Sequence, residues 1–280
     1  MIEPLPDLIL EPVVRAALAE DLGRAGDITS AACIEPGAGL AARFANRKRG
    51  VIAGLACVRL AIGALDPHAV FDELAHDGDQ VEPGAIALVR ANARALLSAE
   101  RTALNLVSRL CGVATLTRAY VDAVTGTGVA VTDTRKTTPG LRALEKYAVR
   151  CGGGVNHRFG LDDAILIKDN HVAAAGGVGA AIRRARAAAG HLVKVECEVD
   201  SLGQLDEALA EAPDVVMLDN FSLAGLREAV ARAKGKVVLE ASGGVTLDTV
   251  RAIAETGVDV ISVGALTHSA PILDIGLDAD

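Results

Sequence analysis

Arg135 and Lys136 stand side by side in the stretch TDTRKTTPGLR (residues 132–142), directly after the apolar Val129–Val131. Two threonines, a proline and a glycine follow, the composition of a loop leaving a strand. Arginine presents a planar fork of donors that matches a carboxylate or phosphate, and lysine adds a point charge. Together they suit a small, highly charged anion. The whole chain carries a formal charge of -8, so these cations are a local feature of an acidic protein. A cationic mouth concentrates anions while the bulk charge keeps the chain soluble.

Further candidates recur in phase. Apolar, β-branched runs begin near 129, 164, 192, 214, 236 and 259, each followed by a helical pattern. Such a rhythm predicts successive βα units, and runs that are apolar throughout, such as DVVMLDN and VDVISVG, suit parallel strands covered on both faces. Six units closing on themselves would make an incomplete TIM-like barrel; an open doubly wound sheet is the main rival. In a βα barrel the chemistry sits at the C-terminal strand ends. Those ends carry Thr134–Lys136, then Lys168 with Asp169, Asn170 and His171, then Glu198, then Asp219 and Asn220, then Glu240 with Ser242, Gly243 and Gly244, and last Gly264 and Ala265.

The third run has its own pattern. Lys194, Glu196 and Glu198 alternate with Val193, Val195, Cys197 and Val199, so period-two geometry places all three charges on one face, the barrel interior. Buried charge is costly unless paired or used. The structural reading pairs Lys194 with Glu196, whereas Glu198, nearest the mouth, is the functional candidate. The small residues of SGG and VGA let backbone N–H groups approach an anion, although they also serve tight turns. CGGGVNHRFG lacks a P-loop spacing; its His157 and Arg158 read as part of a cationic pocket with Arg135, Lys136 and Lys168.

Composition sets the remaining bounds. Of 280 residues 51% are hydrophobic but only 2% aromatic, so the interior is built from Ala, Val, Leu and Ile. No apolar run approaches the roughly 18–20 residues of a membrane span, and MIEPLPDLIL lacks the basic start of a secretory signal. Five cysteines without a C-x-x-C pair indicate free thiols in a reducing cytoplasm rather than disulfides or zinc. An acidic balance with few aromatics speaks against nucleic acid. The stretch NRKRG (46–50) reads as a solvated turn, ELAHDGDQVEPG is assigned no metal, and Arg183, Arg184 and Arg186 read as the outer face of a helix. Before residue 110 the pattern is mixed: a helix over 11–21, strands at 40–45 and 51–55, a helix near 57–65, a turn and strand over HDGDQVEPGAIALVRA, and a long helical segment from 93 to 124.

In order along the chain stand EDLGRAGDITS, ERTALNLVSRLCGVAT, TDTRKTTPGLRALEKYAVRCGGGVNHRFGLDDAILIKDNH, EVDS, LDNF, EASGG and VGALTHS. From about residue 20 to nearly the end, the sequence resembles the quinolinate phosphoribosyltransferase family of type II phosphoribosyltransferases. Cys111 stands where a small residue such as Ser is expected. The resemblance implies an α/β fold with an N-terminal α/β sandwich domain (1–110, with a tail over 268–280 returning to it) and a C-terminal incomplete TIM-like barrel of fewer than eight strands (111–267). It implies transfer of phosphoribosyl from phosphoribosyl pyrophosphate to quinolinate with loss of CO2, on the de novo route to NAD, with Mg2+. It implies a homodimer or dimer-based higher oligomer with shared sites.

By the same resemblance, Thr134, Arg135, Lys136, His157, Arg158 and Lys168 bind quinolinate, with Arg101 reaching in from a partner subunit. Glu198 and Asp219 lie at the ribose and metal side, while Ser242–Gly244 and Val263, Gly264 and Ala265 hold phosphate. Lys136, Lys168, Glu198 and Asp219 are the catalytic candidates. A paralogue acting on another substrate would leave the dicarboxylate pocket idle, and a non-catalytic sensor would not need Glu198 and Asp219. A Schiff-base lyase would need Lys168 as its amine.

Overall fold

The computed structural model describes residues 2–279. In chain order the elements are α1 (Asp7–Leu22), α2 (Ile28–Cys33), β1 (Gly39–Asn46), β2 (Gly50–Val51), α3 (Leu55–Gly63), β3 (Val70–Glu73), β4 (Gln80–Val81), β5 (Gly84–Asn92) and α4 (Ala93–Ala123). There follow β6 (Ala130–Thr132), α5 (Arg142–Cys151), β7 (Ile165–Ile167), α6 (Asp169–Ala175), α7 (Val178–Ala188), β8 (Val195–Val199), α8 (Leu202–Glu211), β9 (Val215–Asp219) and α9 (Leu223–Ala233). The chain ends with β10 (Val238–Ser242), α10 (Leu247–Ala254), β11 (Val260–Ser262), α11 (Ala265–His268) and β12 (Ile275–Ala279).

Two compact units divide these elements. The first takes the chain up to Arg118, the segment Thr137–Gly153, and the chain from Leu266 onward. Its antiparallel sheet has the order β12-β1-β5-β3. Phe44 on β1 and Ile86, Ala87 and Val89 on β5 are buried, and α1 packs on α3. Residue 110, near which the chain was expected to divide, lies inside α4. α4 runs unbroken past it, because Leu106, Val107, Leu110, Val113 and Ala114 continue one buried helical surface. Nor does α5 stay with the barrel strand before it. Tyr147 on α5 donates its hydroxyl to Asp77 at 2.8 Å, and Glu145, fully buried, meets Arg109 of α4 at 2.8 Å.

The second unit, Ala119–Lys136 and Gly154–Ala265, is built on a parallel sheet with the order β6-β11-β10-β9-β8-β7. Order decides between the two architectures. Strands β7 to β11 follow in sequence and β6 then lies beside β11, the circular order of a barrel. A doubly wound sheet would instead reverse direction at a switch point. No ladder joins β6 to β7 among the described residues, so the barrel is incomplete at six strands. On β8, Val195, Cys197 and Val199 are buried, with α7 and α8 packed on that strand.

Lys194 departs from expectation. The strand begins one residue later, and Lys194 is exposed with its ammonium 2.8 Å from Asp214. It therefore does not pair with Glu196 inside the barrel. Asp214 captures it at the N-terminal end of the sheet while also accepting the N–H of Val195 at 2.9 Å. Arg183, Arg184 and Arg186 are on α7 and all three are exposed. Among the described residues no helix is long and apolar enough to cross a membrane.

Candidate active site

Strand register brings the candidate residues onto one face. Leu166 is level with Glu196, Glu198 with Met217, Met217 with Glu240, and Asp219 with Ser242. Paired residues of neighbouring strands point the same way, and alternate residues within a strand share a face. Glu198, Asp219 and Ser242 therefore share one sheet face with Glu196 and Glu240. Lys168, two residues beyond Leu166, comes level with Glu198. Its ammonium lies 3.6 Å from the Glu198 carboxylate.

Glu198 sits among acids as well as beside that lysine. Burial raises its pKa above the ordinary carboxylate value; the Lys168 charge pulls it back, and Asp219 and Asp169 raise it further. Asp169, Glu198 and Asp219 thus form an oxygen-rich side of the mouth.

Asn220 shapes that side. It adopts a left-handed backbone conformation at φ 56°, which asparagine tolerates better than most residues. Its N–H donates to the carbonyl of Ser242 at 2.9 Å, and its side-chain amide donates to Asp219 at 2.7 Å. Gly243 follows at φ 94°, and a Cβ there would stand 2.2 Å from the Asn220 side-chain oxygen. Only glycine fits both the angle and the space. The Ser242–Gly244 turn is therefore locked against the end of β9. Val263 donates its N–H to Thr132 at 2.9 Å, which sets the last loop, Val263–Ala265, beside β6.

The cationic side is built on Asp133, which is fully buried. Its carboxylate accepts from the Asn156 amide at 2.6 Å and from the His157 N–H at 3.0 Å. Val155 also adds a one-residue parallel bridge to Thr132, and the Thr132 hydroxyl donates to the Val155 carbonyl at 3.1 Å. These bonds dock the glycine-rich loop along the free edge of β6. Arg158 is half-buried, donating to the Ala164 carbonyl at 2.9 Å. Burial lowers its pKa, and the neighbouring charge of Arg135 lowers it further. The Nε–H groups of both Arg135 and Arg158 are buried without a hydrogen-bond partner among the described residues. Two adjacent cations with unused donors are poised for an anion. The Thr134 hydroxyl accepts the Lys136 N–H at 3.0 Å, shaping the turn that carries both cations.

Beneath this pocket lies His157, whose side chain is only 11% exposed. Its Nε2 is 3.1 Å from Glu196 and 3.6 Å from Glu240, and its Nδ1 accepts the Arg158 N–H at 2.8 Å. Burial, then the charge of Glu196, push the Glu240 carboxyl up to about 7. Sequence reasoning assigned no role to Asp133, Asn220 or Glu240, although each stands at or beside a strand end where such a role was open. Arg101 lies exposed on α4 in the first unit.

An incomplete α/β barrel whose C-terminal rim sets paired cations opposite grouped carboxylates defines a site for transferring a highly charged small molecule. The quinolinate phosphoribosyl transferase C-terminal domain matches residues 113–278 and its N-terminal domain residues 27–111. The chain belongs to the quinolinate phosphoribosyl transferase family. It is 51% identical to the nicotinate-nucleotide pyrophosphorylase [carboxylating] of Mycobacterium leprae, over 95% of each chain. It is 44% identical to the probable enzyme of that name from Bacillus subtilis, over 97% of this chain and 93% of that protein. The solved nicotinate-nucleotide pyrophosphorylase of Francisella tularensis superposes with a TM-score of 0.95 at 40% identity, covering 100% of this chain and 99% of the other.

Proposed function

We propose that this chain catalyses the reaction of quinolinate with phosphoribosyl pyrophosphate to give nicotinate mononucleotide, pyrophosphate and CO2. The observation that carries the reading is the pairing of Arg135 and Arg158, each with a buried, unused Nε–H, across the rim from Glu198 and Asp219. Two carboxylates on one ring need planar, bidentate donors. Lys136 and Lys168 supply charge to the remaining oxygens.

In the first step the pyridine nitrogen gives its lone pair to ribose C1 while the C1–O bond to pyrophosphate breaks, its electrons leaving with pyrophosphate. The oxocarbenium-like transition state is positive, and the carboxylates of Glu198 and Asp219 stabilise it. In the second step the bond from ring C2 to its carboxylate breaks, CO2 departs, and the electron pair stays on C2. The adjacent quaternised nitrogen stabilises that pair, Lys136 or Lys168 supports it electrostatically, and a proton from water completes nicotinate mononucleotide. The ring nitrogen is unprotonated near neutral pH, so no general base is required.

The hard oxygen donors of Glu198 and Asp219 suit Mg2+, which when bound would neutralise pyrophosphate charge. Ser242–Gly244 and Val263–Ala265 offer backbone N–H groups to phosphate. The exposed Arg101 completes the quinolinate pocket of a partner subunit in a homodimer or an assembly of dimers. Mixing Arg101→Ala with Lys168→Ala protein restores activity if sites are shared, and restores none if each site belongs to one chain. The five free cysteines, four of them buried, suit a reducing cytoplasm.

The decisive assay supplies quinolinate labelled in its 2-carboxyl group, with nicotinate as control. Labelled CO2 appearing one-for-one with nicotinate mononucleotide, and only from quinolinate, supports the proposal. Turnover of nicotinate instead would refute it.

A further inference from the structure

The layer beneath the rim contains more charge than a barrel core needs. On β9 that inner face is filled by Val215 and Met217, yet the flanking strands place Glu196 and Glu240 there, both buried. Glu196 leaves its Oε1 without a hydrogen-bond partner, and Glu240 has only the Ser262 hydroxyl beside His157 to offset its burial. A buried acceptor left bare is destabilising, so a role beyond packing is indicated for these carboxylates. Their shared neighbour is the Nε2 of His157.

A histidine and two carboxylates within 4.8 Å of one another are a donor set for a metal, but the ring is in the wrong tautomer. A metal-ligating histidine donates its other ring N–H to a carboxylate, a backbone carbonyl or water. Here Nδ1 accepts the Arg158 N–H, so the proton is on Nε2 and points at the carboxylates. Arg158, whose charge is coupled to that of Glu196, would also repel a cation. Both ring nitrogens are thereby engaged within the protein.

We propose that Glu196 and Glu240 are positioning residues for the anionic substrate. They clamp the His157 ring from β8 and β10, and its Nδ1 fixes the Arg158 peptide, and hence that guanidinium, beside Arg135. His157 thus acts behind the pocket wall, not as a donor to the substrate. Asp133 grips the same peptide segment from β6, so His157 and Arg158 are held from three strands. The kinetic half of this inference rests on the quinolinate reading above; the tautomer half does not.

Two measurements test it. The first is nitrogen NMR on protein labelled at histidine, with the His157 signals assigned by comparison with a His157→Gln variant. The expected result is an Nε2–H tautomer near neutral pH. An Nδ1–H tautomer or a doubly protonated ring overturns the proposal, since Nδ1 could then accept nothing. The second compares Glu196→Leu with Glu196→Gln, whose amide oxygen can still accept from Nε2. The leucine variant should raise the quinolinate KM about tenfold, the scale of one charge-assisted hydrogen bond, and the glutamine variant should recover most of that loss. kcat and the KM for phosphoribosyl pyrophosphate should stay near wild type. Equal losses in both KM values, or no loss in either, overturn the positioning role. Should the leucine variant fail to fold, the tautomer decides alone. If wild-type protein does not turn over quinolinate at all, the proposed reaction fails and the tautomer still decides the clamp.

Discussion

At the antiparallel sheet, Arg43 of β1 and Arg47 just beyond it meet Asp278 of β12 in contact with water. On β8 and β10 of the parallel sheet, Glu196 and Glu240 point inward and are covered. The chemical groups are alike, but the energetics are not. An exposed pair gains little over its hydration, whereas a buried charge is costly unless partners or function compensate. Arg109 and Glu145 in the first unit mark a third case: a buried pair with its partners supplied. Glu145 accepts from Arg109 at 2.8 Å, from the Thr138 N–H at 3.0 Å and from the Thr138 hydroxyl at 2.8 Å. Arg109 donates in addition to the carbonyls of Thr267 and Ala270. Glu145 is fully satisfied, whereas Glu196, Arg135 and Arg158 at the barrel site each keep a buried polar atom without a hydrogen bond.

The contrast can be broken most forcefully at the rim. Arg135→Ala should lower kcat/KM for quinolinate by at least about a hundredfold, the scale for truncating one member of a desolvated charge pair, with the melting temperature nearly unchanged. Unaltered kinetics would remove Arg135 from the pocket. The architectural pair should behave in reverse. Glu145→Ala leaves the Arg109 charge without its carboxylate and should destabilise by about 3–5 kcal/mol in urea unfolding.

Glu240 offers a subtler test through pH. Its carboxyl rises from 4.5 to about 7, first through burial and then through the charge of Glu196. Across that window the folded state keeps a proton that the unfolded chain has lost, so stability falls as pH rises. Relative to wild type, Glu240→Gln should remove that downward slope in melting temperature. A slope that persists unchanged would place the titration elsewhere. The smallest effect belongs to the exposed cluster. Arg47 and its hydrogen bonds hold the Asp278 carboxyl below its ordinary 3.8, so any stability it adds is present above that value and lost as pH falls. At moderate salt, Asp278→Asn should leave the urea midpoint at neutral pH within error.

The rim was legible in the sequence because it obeys local rules. Polar residues close each apolar run, and two-residue alternation placed Glu196 and Glu198 on one face. The same alternation failed at Lys194, because a partner on the next strand's approach, Asp214, takes the lysine before the strand begins. His157 was legible as a neighbour of the rim cations but not as a clamped ring. Its two acids arrive from β8 and β10, and no spacing along the chain encodes their meeting. α5 was illegible for a related reason. Glu145 has the composition of a surface residue, yet it is buried, because its partners Arg109 and Thr138 lie outside the helix.

The pairing of β1 with β12 bears on how the molecule is made. Arg47 and Asp278, which bridge those strands, are 231 positions apart. During synthesis a ribosome must deliver the whole barrel before the first sheet can receive its edge strand. Until then β1 presents an open edge on that side, the kind of surface on which nascent chains pair wrongly. Strands β7 to β11, whose neighbours follow one another closely in sequence, can assemble meanwhile. The unit translated first is thus the one completed last.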